Sequence, residues 1–275
     1  MTQIAKPQIG LPDHNREVDG PFVPRYDLTQ EELSQLETEL VGIIRGQQGS
    51  NEAVCAAWIS PTSKFSNFLR TKEAQNFPEV DGVDPYYEKH QRYIALVDLR
   101  GEGRIVHAAT IMNFDDSTDS SEVQPAQEKR TGLYTVDSLI NLGNFTRDEF
   151  VDYYQRGGVD VDKSISIETN FKIVDDFDPF MTLGSADLTY LTIFNMLIDG
   201  GAPREGTLVV ASINEKQIDS FKRTHIKFDP LLGRTDFRTE EEALGKESHP
   251  IAIDFASAYD ILTPIQVKLP EAFFN

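Results

Sequence analysis

The chain has 275 residues, of which 39% are hydrophobic and 10% aromatic, so it can bury the core of one large domain or two small ones. Acidic residues outnumber basic ones 45 to 26, and a net charge of −19 repels phosphate backbones, which excludes nucleic acid as an expected partner. No segment approaches the ~20 uninterrupted apolar residues of a membrane helix, and nothing resembles a signal peptide, so we expect a soluble cytoplasmic protein.

The N-terminal part of the chain predicts an arm, a helix and a buried strand. Residues 1–28 contain four prolines and little periodicity, as is typical of an arm. A capping box over Thr29–Glu32 then opens a helix that runs to about Gly46, with apolar residues at helical spacing. The apolar run Val54–Ile59 predicts a buried strand that contains Cys55, for which we expect a buried side chain in a reducing compartment.

The rest of the chain alternates between helical and strand periodicity. In chain order, the predicted elements are a helix over 64–76, a hairpin of strands over 91–99 and 104–112, helices over 135–142 and 146–155, a strand over 164–174, a helix over 185–198, a strand over 207–213, a helix over 214–224, and strands over 226–228 and 251–255. Residues 115–131 are polar and acidic, which predicts a surface insertion. Because no linker or repeat divides the chain, we expect one α/β domain over 29–275, with a mixed sheet flanked by helices.

The strand over 164–174 has the clearest alternation in the chain. One predicted face carries Ile165, Ile167, Thr169, Phe171 and Ile173, and the other carries Ser166, Glu168, Asn170 and Lys172. The first face is strongly apolar, so we expect it to lie in the core. Glu168 would then point from the other face toward a cleft.

Common motifs for metals, phosphates and activated serines are missing from the sequence. No two of the five histidines are three or four residues apart, so no metal site is predicted. There is no G-x-S-x-G, no phosphate-binding loop ending in Gly-Lys-Ser/Thr and no G-x-G-x-x-G. His107, within a predicted strand, is expected to be a structural histidine rather than a base.

A more specific pattern begins on the second predicted helix. Arg70 is followed by an E-x-D-x-x-D loop of Glu79, Asp81 and Asp84, and then by the first strand of the hairpin. Later, the run from Ile167 to Ile173 is similar to a signature strand that contains a glutamate. These motifs and the order of elements resemble the acyl-homoserine-lactone synthases and the long-chain N-acyl amino acid synthases, which have the GNAT fold.

The resemblance implies an N-acyltransferase that joins an acyl thioester to the amine of a small molecule or amino acid. Acyl-CoA is expected as the donor in preference to an acyl-carrier protein, because such carriers are acidic and would be repelled by a chain with a net charge of −19. It would act as a co-substrate rather than as a permanently bound cofactor. The residues that it implies are Glu168, Asp81, Asp84 and Arg70 for catalysis, Glu79, Thr169, Asn170 and Phe171 for substrate binding, and Gly184, Ser185 and Ala186, at the start of the long helix, for binding the CoA pyrophosphate.

Each of these residues also has a simpler interpretation. Glu168 can be a surface residue, Asp81 and Asp84 can belong to an acidic turn, and Ser185 can be an ordinary N-cap. Arg70 can pair with Glu73 on its own helix in a solvated contact.

Two further functions stay open at the level of the sequence. Two arginines of the family are replaced, one near Asn170 and one at the His107 strand, as expected of a GNAT-like binding or regulatory protein that has lost turnover. Alternatively, the chain is an acidic interaction protein with an unrelated α/β fold, in which the loop match is accidental.

Overall fold

The computed structural model of the protein describes residues 28–48, 54–77, 87, 91–114, 130–174, 185–199, 204–239, 247–265 and 271–274. Most of the predicted arm (1–28) and of the predicted insertion (115–131) lies outside these ranges. So do the acidic loop with Glu79, Asp81 and Asp84, and also Gly184. The division into an arm and a single domain therefore stays a prediction.

The described part of the chain contains seven α-helices, eight strands and two short 3-10 helices, Val161–Lys163 and Leu231–Gly233. The helices are α1 Gln30–Gln48, α2 Lys64–Asn76, α3 Tyr134–Asn141, α4 Arg147–Arg156, α5 Ser185–Asp199, α6 Glu215–Thr224 and α7 Phe255–Ile265. The strands are β1 Val54–Ile59, β2 Arg92–Asp98, β3 Arg104–Asn113, β4 Ile165–Lys172, β5 Leu208–Ile213, β6 Phe228–Pro230, β7 His249–Asp254 and β8 Glu271–Phe274. Within these residues, no helix is both long enough and apolar enough to cross a membrane.

The strands form one mixed sheet in the order β6-β7-β5-β4-β3-β2-β1-β8. The pairs β4–β5 and β1–β8 are parallel, and the other neighbours are antiparallel. The α/β class, with a mixed sheet flanked by helices, is thus confirmed.

Alternating burial along the strands assigns the helices to two faces. In β2, Ala95 packs with α1 and α2, whereas its neighbour Ile94 packs with α5. In β5, Val210 packs with α3 and α4, whereas its neighbour Val209 packs with α5, α6 and α7. Since successive side chains point to opposite sides of a sheet, α1 to α4 cover one face, called the α2 face below, and α5 to α7 cover the other, called the α5 face.

Local capping explains where several helices begin. The predicted box at the start of α1 is confirmed, because Thr29 N donates to Glu32 Oε2 at 3.0 Å and Glu32 N donates to Thr29 Oγ1 at 3.3 Å. A second box, between Thr146 and Glu149, opens α4 as predicted. Cys55 is fully buried in β1, also as predicted.

The C-terminal third differs most from the sequence-based prediction. The strand expected over 226–228 is instead Phe228–Pro230, because His225 ends α6 in a left-handed conformation (φ 58°) and the chain turns before it pairs. Helix α7 and strand β8 were not predicted. Strand β8 lies parallel to β1, which is more than 200 residues earlier in the sequence, so local periodicity carried little signal for it.

Candidate active site at the fork between β4 and β5

A β-bulge interrupts strand β4 at Glu168. Thr110 of β3 pairs with Thr169, but the next residue, Ile111, pairs with Ile167, which leaves Glu168 as the extra residue. The bulge resets the alternation of side chains along the strand. The predicted single apolar face is therefore wrong: Ile167 packs on the α5 face, whereas Phe171 packs on the α2 face.

Because of the bulge, two consecutive polar residues point to the α2 face. Glu168 contacts α3 and Thr169 contacts α2, both of which cover that face. A regular strand would send one of the two side chains to the opposite side. Bulges of this kind re-aim a side chain and are common next to active sites.

Glu168 accepts hydrogen bonds from the first turn of α3. Thr135 N lies 3.2 and 3.1 Å from its two carboxylate oxygens, and Thr135 Oγ1 donates at 2.6 Å. Ser166 Oγ also donates to the carboxylate. The N-cap residue of α3, Leu133, offers no side-chain hydrogen bond, so Glu168 supplies the cap from a neighbouring strand.

The pKa of Glu168 is raised because the side chain is withdrawn from bulk water. The hydrogen bonds from Ser166 and Thr135 favour the charged form and oppose this shift, whereas the nearby charge of Asp137 adds to it. The net direction is upward, toward the pH at which an acid or base can exchange a proton under physiological conditions.

Glu168 lies in a cleft at the point where two parallel strands part. The last paired residues of β4 and β5 are Ile167 and Ala211. The next residue on each strand, Glu168 and Ser212, lines a small cleft that opens to solvent. The remaining wall comes from α3, β7 and the segment before it: Tyr134, Thr135, Ser138, Leu139, Thr239 and Pro250.

A second polar cluster surrounds Glu73 on α2. Gln91 Nε2 and Tyr93 OH donate to its Oε2 at 3.0 and 2.6 Å. Thr110 and Thr169 donate to its Oε1 at 2.9 and 2.6 Å. These contacts hold α2 against three strands, and one of them reaches the residue next to Glu168. Glu73 therefore ties the bulge in β4 to α2.

Arg70 lies beside Glu73 and is 1% exposed. Burial lowers the pKa of Arg70, while its interactions with Tyr93 and Glu73 act in the opposite direction. The pKa of Tyr93 is raised well above its usual value by burial and by the charge of Glu73. Arg70 therefore does interact with Glu73 on its own helix, but the contact is not solvated as in the simpler interpretation, because the guanidinium is enclosed by the core.

A buried aspartate lies on the same helix as Thr135. Asp137 on α3 accepts hydrogen bonds at 2.8 Å from Tyr87 OH and from both Thr131 N and Thr131 Oγ1. Burial raises the pKa of Asp137, although these donors oppose the shift. Asp137 was not identified from the sequence, and Glu73 was named only as a possible partner of Arg70, because their other partners come from distant elements and polar spacing alone does not reveal them.

The sequence matches no protein-family model and no curated protein. Two similar solved structures are of a CoA-dependent acyl-homoserine lactone synthase, BjaI, one with SAM and isopentyl-CoA and the other with MTA. The chain resembles these synthases. Each match has 13% identity and covers 80% of this chain and 93% of the other, with TM-scores of 0.42 and 0.43. A third similar structure, of a bacterial toxin, has 12% identity, a TM-score of 0.36 and coverage of 78% and 96%.

Acyl-homoserine-lactone synthases, which the sequence motifs resemble, are thus also among the similar solved structures. Among the residues that the resemblance selects, Glu168 and Thr169 lie together on the α2 face, and Arg70 is joined to Thr169 through Glu73. Ser185 and Ala186 form the first residues of α5. Glu79, Asp81, Asp84 and Gly184 lie outside the described residues, so their roles stay predictions.

Asn170 and Phe171 do not join Glu168 in the cleft. Asn170 Oδ1 accepts a hydrogen bond from His107 Nε2, and its partner in the sheet is Ala109, which packs on the α5 face. Phe171 is 3% exposed and packs edge-to-face on Phe77, with ring centroids 6.3 Å apart. The three consecutive residues proposed for substrate binding are thus divided between two faces of the sheet.

His107 is buried and uncharged. Burial lowers its pKa to about 4, and the hydrogen bond to Asn170 only partly offsets this effect. A neutral imidazole in the core has the properties expected of a structural histidine.

Proposed function

We propose that the protein is an N-acyltransferase that transfers an acyl group from acyl-CoA to the amine of a small molecule or amino acid. The observation that supports this function best is the position of Glu168. Its carboxylate lies at the fork between two parallel strands, in a cleft open to solvent, and its pKa is raised by burial.

The fork offers a place for an extended thioester. Beyond Ile167 and Ala211 the two strands no longer pair with each other, so a flat chain such as an acyl-pantetheine arm can enter between them. The N-terminus of α5, at Ser185, carries the partial positive charge to which the resemblance assigns the pyrophosphate of CoA. The resemblance implies the same role for Gly184 and Ala186.

The proposed reaction needs a proton acceptor. The acceptor amine arrives protonated and must lose a proton before its lone pair attacks the thioester carbonyl. Glu168 takes that proton and releases it to water. The neutral amine then forms the new C–N bond and loses a second proton to Glu168, and this second proton passes to the departing thiolate as the C–S bond breaks. A carboxylate with a raised pKa suits both steps, because it binds the proton more readily and can still release it.

The remaining predicted residues would act on the acceptor. We propose that Glu79, Asp81 and Asp84 hold the ammonium group before it is deprotonated, as their counterparts do in the family. The same loop carboxylates would orient Arg70, which is enclosed beside Glu73. Precise positioning of this kind can contribute as much to the rate as the base itself.

A specific observation favours a second candidate, a GNAT-like protein that binds a thioester without turnover. The carboxylate of Glu168 already accepts three kinds of hydrogen bond, from Ser166 Oγ, Thr135 N and Thr135 Oγ1, and caps α3. A residue engaged in this way can serve the fold alone. Two arginines of the family are replaced in this chain, one near Asn170 and one near His107, and their replacement also favours this candidate.

A binding assay tests the first part of the proposal. Acetyl-CoA and long-chain acyl-CoA are compared with free CoA and a nucleotide in thermal unfolding. A ligand at 100 times its dissociation constant should add about 2.7 kcal/mol to the free energy of unfolding. If no thioester raises the melting temperature, both candidates lose their support.

A turnover assay distinguishes the two candidates. Release of free thiol is measured with amino acids and other small amines, for the wild type and for Glu168→Gln. The amide can still accept hydrogen bonds from Thr135 but cannot take a proton, so the rate should fall roughly 10²- to 10⁴-fold while thioester binding persists. Glu205→Gln, at an exposed position in the turn before β5, is the matched control. Unchanged turnover in Glu168→Gln would show that this residue acts only as a helix cap.

A further inference from the structure

Three side chains of types that can ligate a metal ion lie close together on the opposite face of the sheet from Glu168. Glu215 is the first residue of α6, His249 is the first residue of β7, and Glu247 precedes His249 by two residues. One ligand atom from each residue lies within 4.8 Å of the other two. His249 pairs with Ile213, whose side chain packs on the α5 face, so the cluster lies across the sheet from Glu168.

The separations within the cluster fit a shared ion better than hydrogen bonds. His249 Nε2 is 3.4 Å from Glu247 Oε1 and 3.6 Å from Glu215 Oε1. Hydrogen bonds from nitrogen to oxygen are normally about 2.7–3.2 Å long. Two ligands that each lie ~2.1 Å from a tetrahedral zinc ion are ~3.4 Å apart, which is close to the separations observed.

The ring nitrogen of His249 is the most informative atom of the cluster. Nε2 is buried and has no hydrogen-bond partner in the described part of the chain, although the side chain as a whole is 38% exposed. Such an atom is unusual, because buried polar atoms are normally satisfied. Within the described residues, the ion pairs of Glu215 and Glu247 are with His249 alone. The cluster therefore combines two carboxylates with one imidazole nitrogen directed at them.

The backbone holds the three residues in place before any ion binds. Asn214 N donates to Gln217 Oε1 at 2.8 Å and Gln217 N donates to Asn214 Oδ1 at 3.1 Å, which fixes the start of α6 at Glu215. The ladder between β5 and β7 fixes His249, and Ser212 and Ser248 are hydrogen-bonded to each other. Only the exposed carboxylates need to adjust, so little order has to be gained on binding.

We propose that Glu215, Glu247 and His249 form a binding site for a divalent transition-metal ion such as Zn²⁺. His249 Nε2 and one oxygen of each glutamate would be the ligands, and water would complete the coordination. The ion would join the start of α6 to the start of β7. The argument for this metal site does not depend on the proposed acyl transfer. Histidine spacing did not predict it, since two of its ligands are separated from the third by more than 30 residues.

Calorimetric titration of the chelator-treated full chain with ZnCl₂ tests the proposal. MgCl₂ serves as the comparison, because Mg²⁺ prefers oxygen ligands to imidazole. The wild type should bind Zn²⁺, and His249→Ala and Glu247→Gln should each weaken this binding at least tenfold. Glu102→Gln, an exposed glutamate in the turn between β2 and β3, is the matched control and should bind as the wild type does.

Thermal unfolding provides a second measurement. Zn²⁺ should raise the melting temperature of the wild type and of Glu102→Gln, but not that of His249→Ala. Glu247 is largely exposed, so Glu247→Gln tests the site even if His249→Ala fails to fold. The proposal is overturned if the wild type binds no Zn²⁺, in which case His249 serves only as an ion-pair partner of the glutamates. It is equally overturned if Glu247→Gln and His249→Ala bind Zn²⁺ as tightly as the wild type.

Discussion

Replacing Glu73 with glutamine tests the central role of this residue in joining α2 to the sheet. Each carboxylate oxygen accepts two hydrogen bonds, from Gln91 and Tyr93 on one side and from Thr110 and Thr169 on the other. In Glu73→Gln, one of the two oxygens becomes an NH₂ group that faces two donors.

The expected loss of stability follows from these contacts. Hydrogen bonds to a charged group contribute roughly 1.5–3 kcal/mol each, so losing two of them gives about 3–6 kcal/mol. The hydroxyl groups of Tyr93, Thr110 and Thr169 can rotate to accept from the new amide, which favours the lower end of this range. Arg70 also loses a neighbouring negative charge. We therefore expect a decrease of about 3–4 kcal/mol in the free energy of unfolding.

Urea titration and thermal unfolding, both followed by circular dichroism, measure this change. At about 2–4 °C per kcal/mol for a chain of this size, the melting temperature should fall by about 10 °C. Thr169→Val removes a single donor and should cost roughly half as much. Glu31→Gln, at an exposed position in the first turn of α1, should stay within about 0.5 kcal/mol of the wild type. If Glu73→Gln also changed the free energy of unfolding by no more than about 0.5 kcal/mol, Glu73 would not join α2 to the sheet.

Three further predictions concern α3 and α4. Thr135→Val removes a hydroxyl that favours the charged form of Glu168, so the pKa of Glu168 should rise further and the pH profile of thiol release should move upward; an unshifted profile would contradict this. The pKa of Asp137 is raised, so this carboxyl group binds a proton more readily in the folded state than in the unfolded state. The contribution of Asp137 to the free energy of unfolding therefore declines as the pH rises from the unfolded-state pKa through the folded-state pKa. Asp137→Asn should flatten this decline in unfolding measured between about pH 4 and pH 7, whereas an unaltered slope would exclude Asp137 as its source. Tyr154→Phe leaves the buried N–H of Leu232 without its 3.1 Å partner and should cost about 1–2 kcal/mol in urea titration, and no measurable loss would mean that water replaces the hydroxyl.

Much of the local structure could be read from the sequence, since it depends on neighbouring residues. The capping boxes at Thr29 and Thr146 require side chains three residues apart, and both are present. The buried run around Cys55 and the hairpin of β2 and β3 follow from short apolar patterns. The resemblance to acyl-homoserine-lactone synthases likewise rested on a few closely spaced residues.

The bulge at Glu168 could not be read in this way. The sequence from Ile165 to Ile173 alternates regularly, and nothing in it marks an extra residue. The bulge is defined by pairing with β3, where Thr110 and Ile111 contact residues that are two apart on β4. The resulting division of Ile167 and Phe171 between two faces is a property of the sheet rather than of the strand.

The amino-acid sequence by itself determined the α/β class, most helix starts and the buried Cys55, because these depend on composition and on contacts within a few residues. Glu168 was selected as a candidate base by the resemblance of its strand to a family motif. Only the tertiary structure decided that Glu168 lies at the fork beside Ser212, that Glu73 joins α2 to the bulge, and that His249 lies near Glu215. The physical reason is that hydrogen bonds and burial act over a few ångströms in space. The partners in each of these contacts are tens of residues apart along the chain.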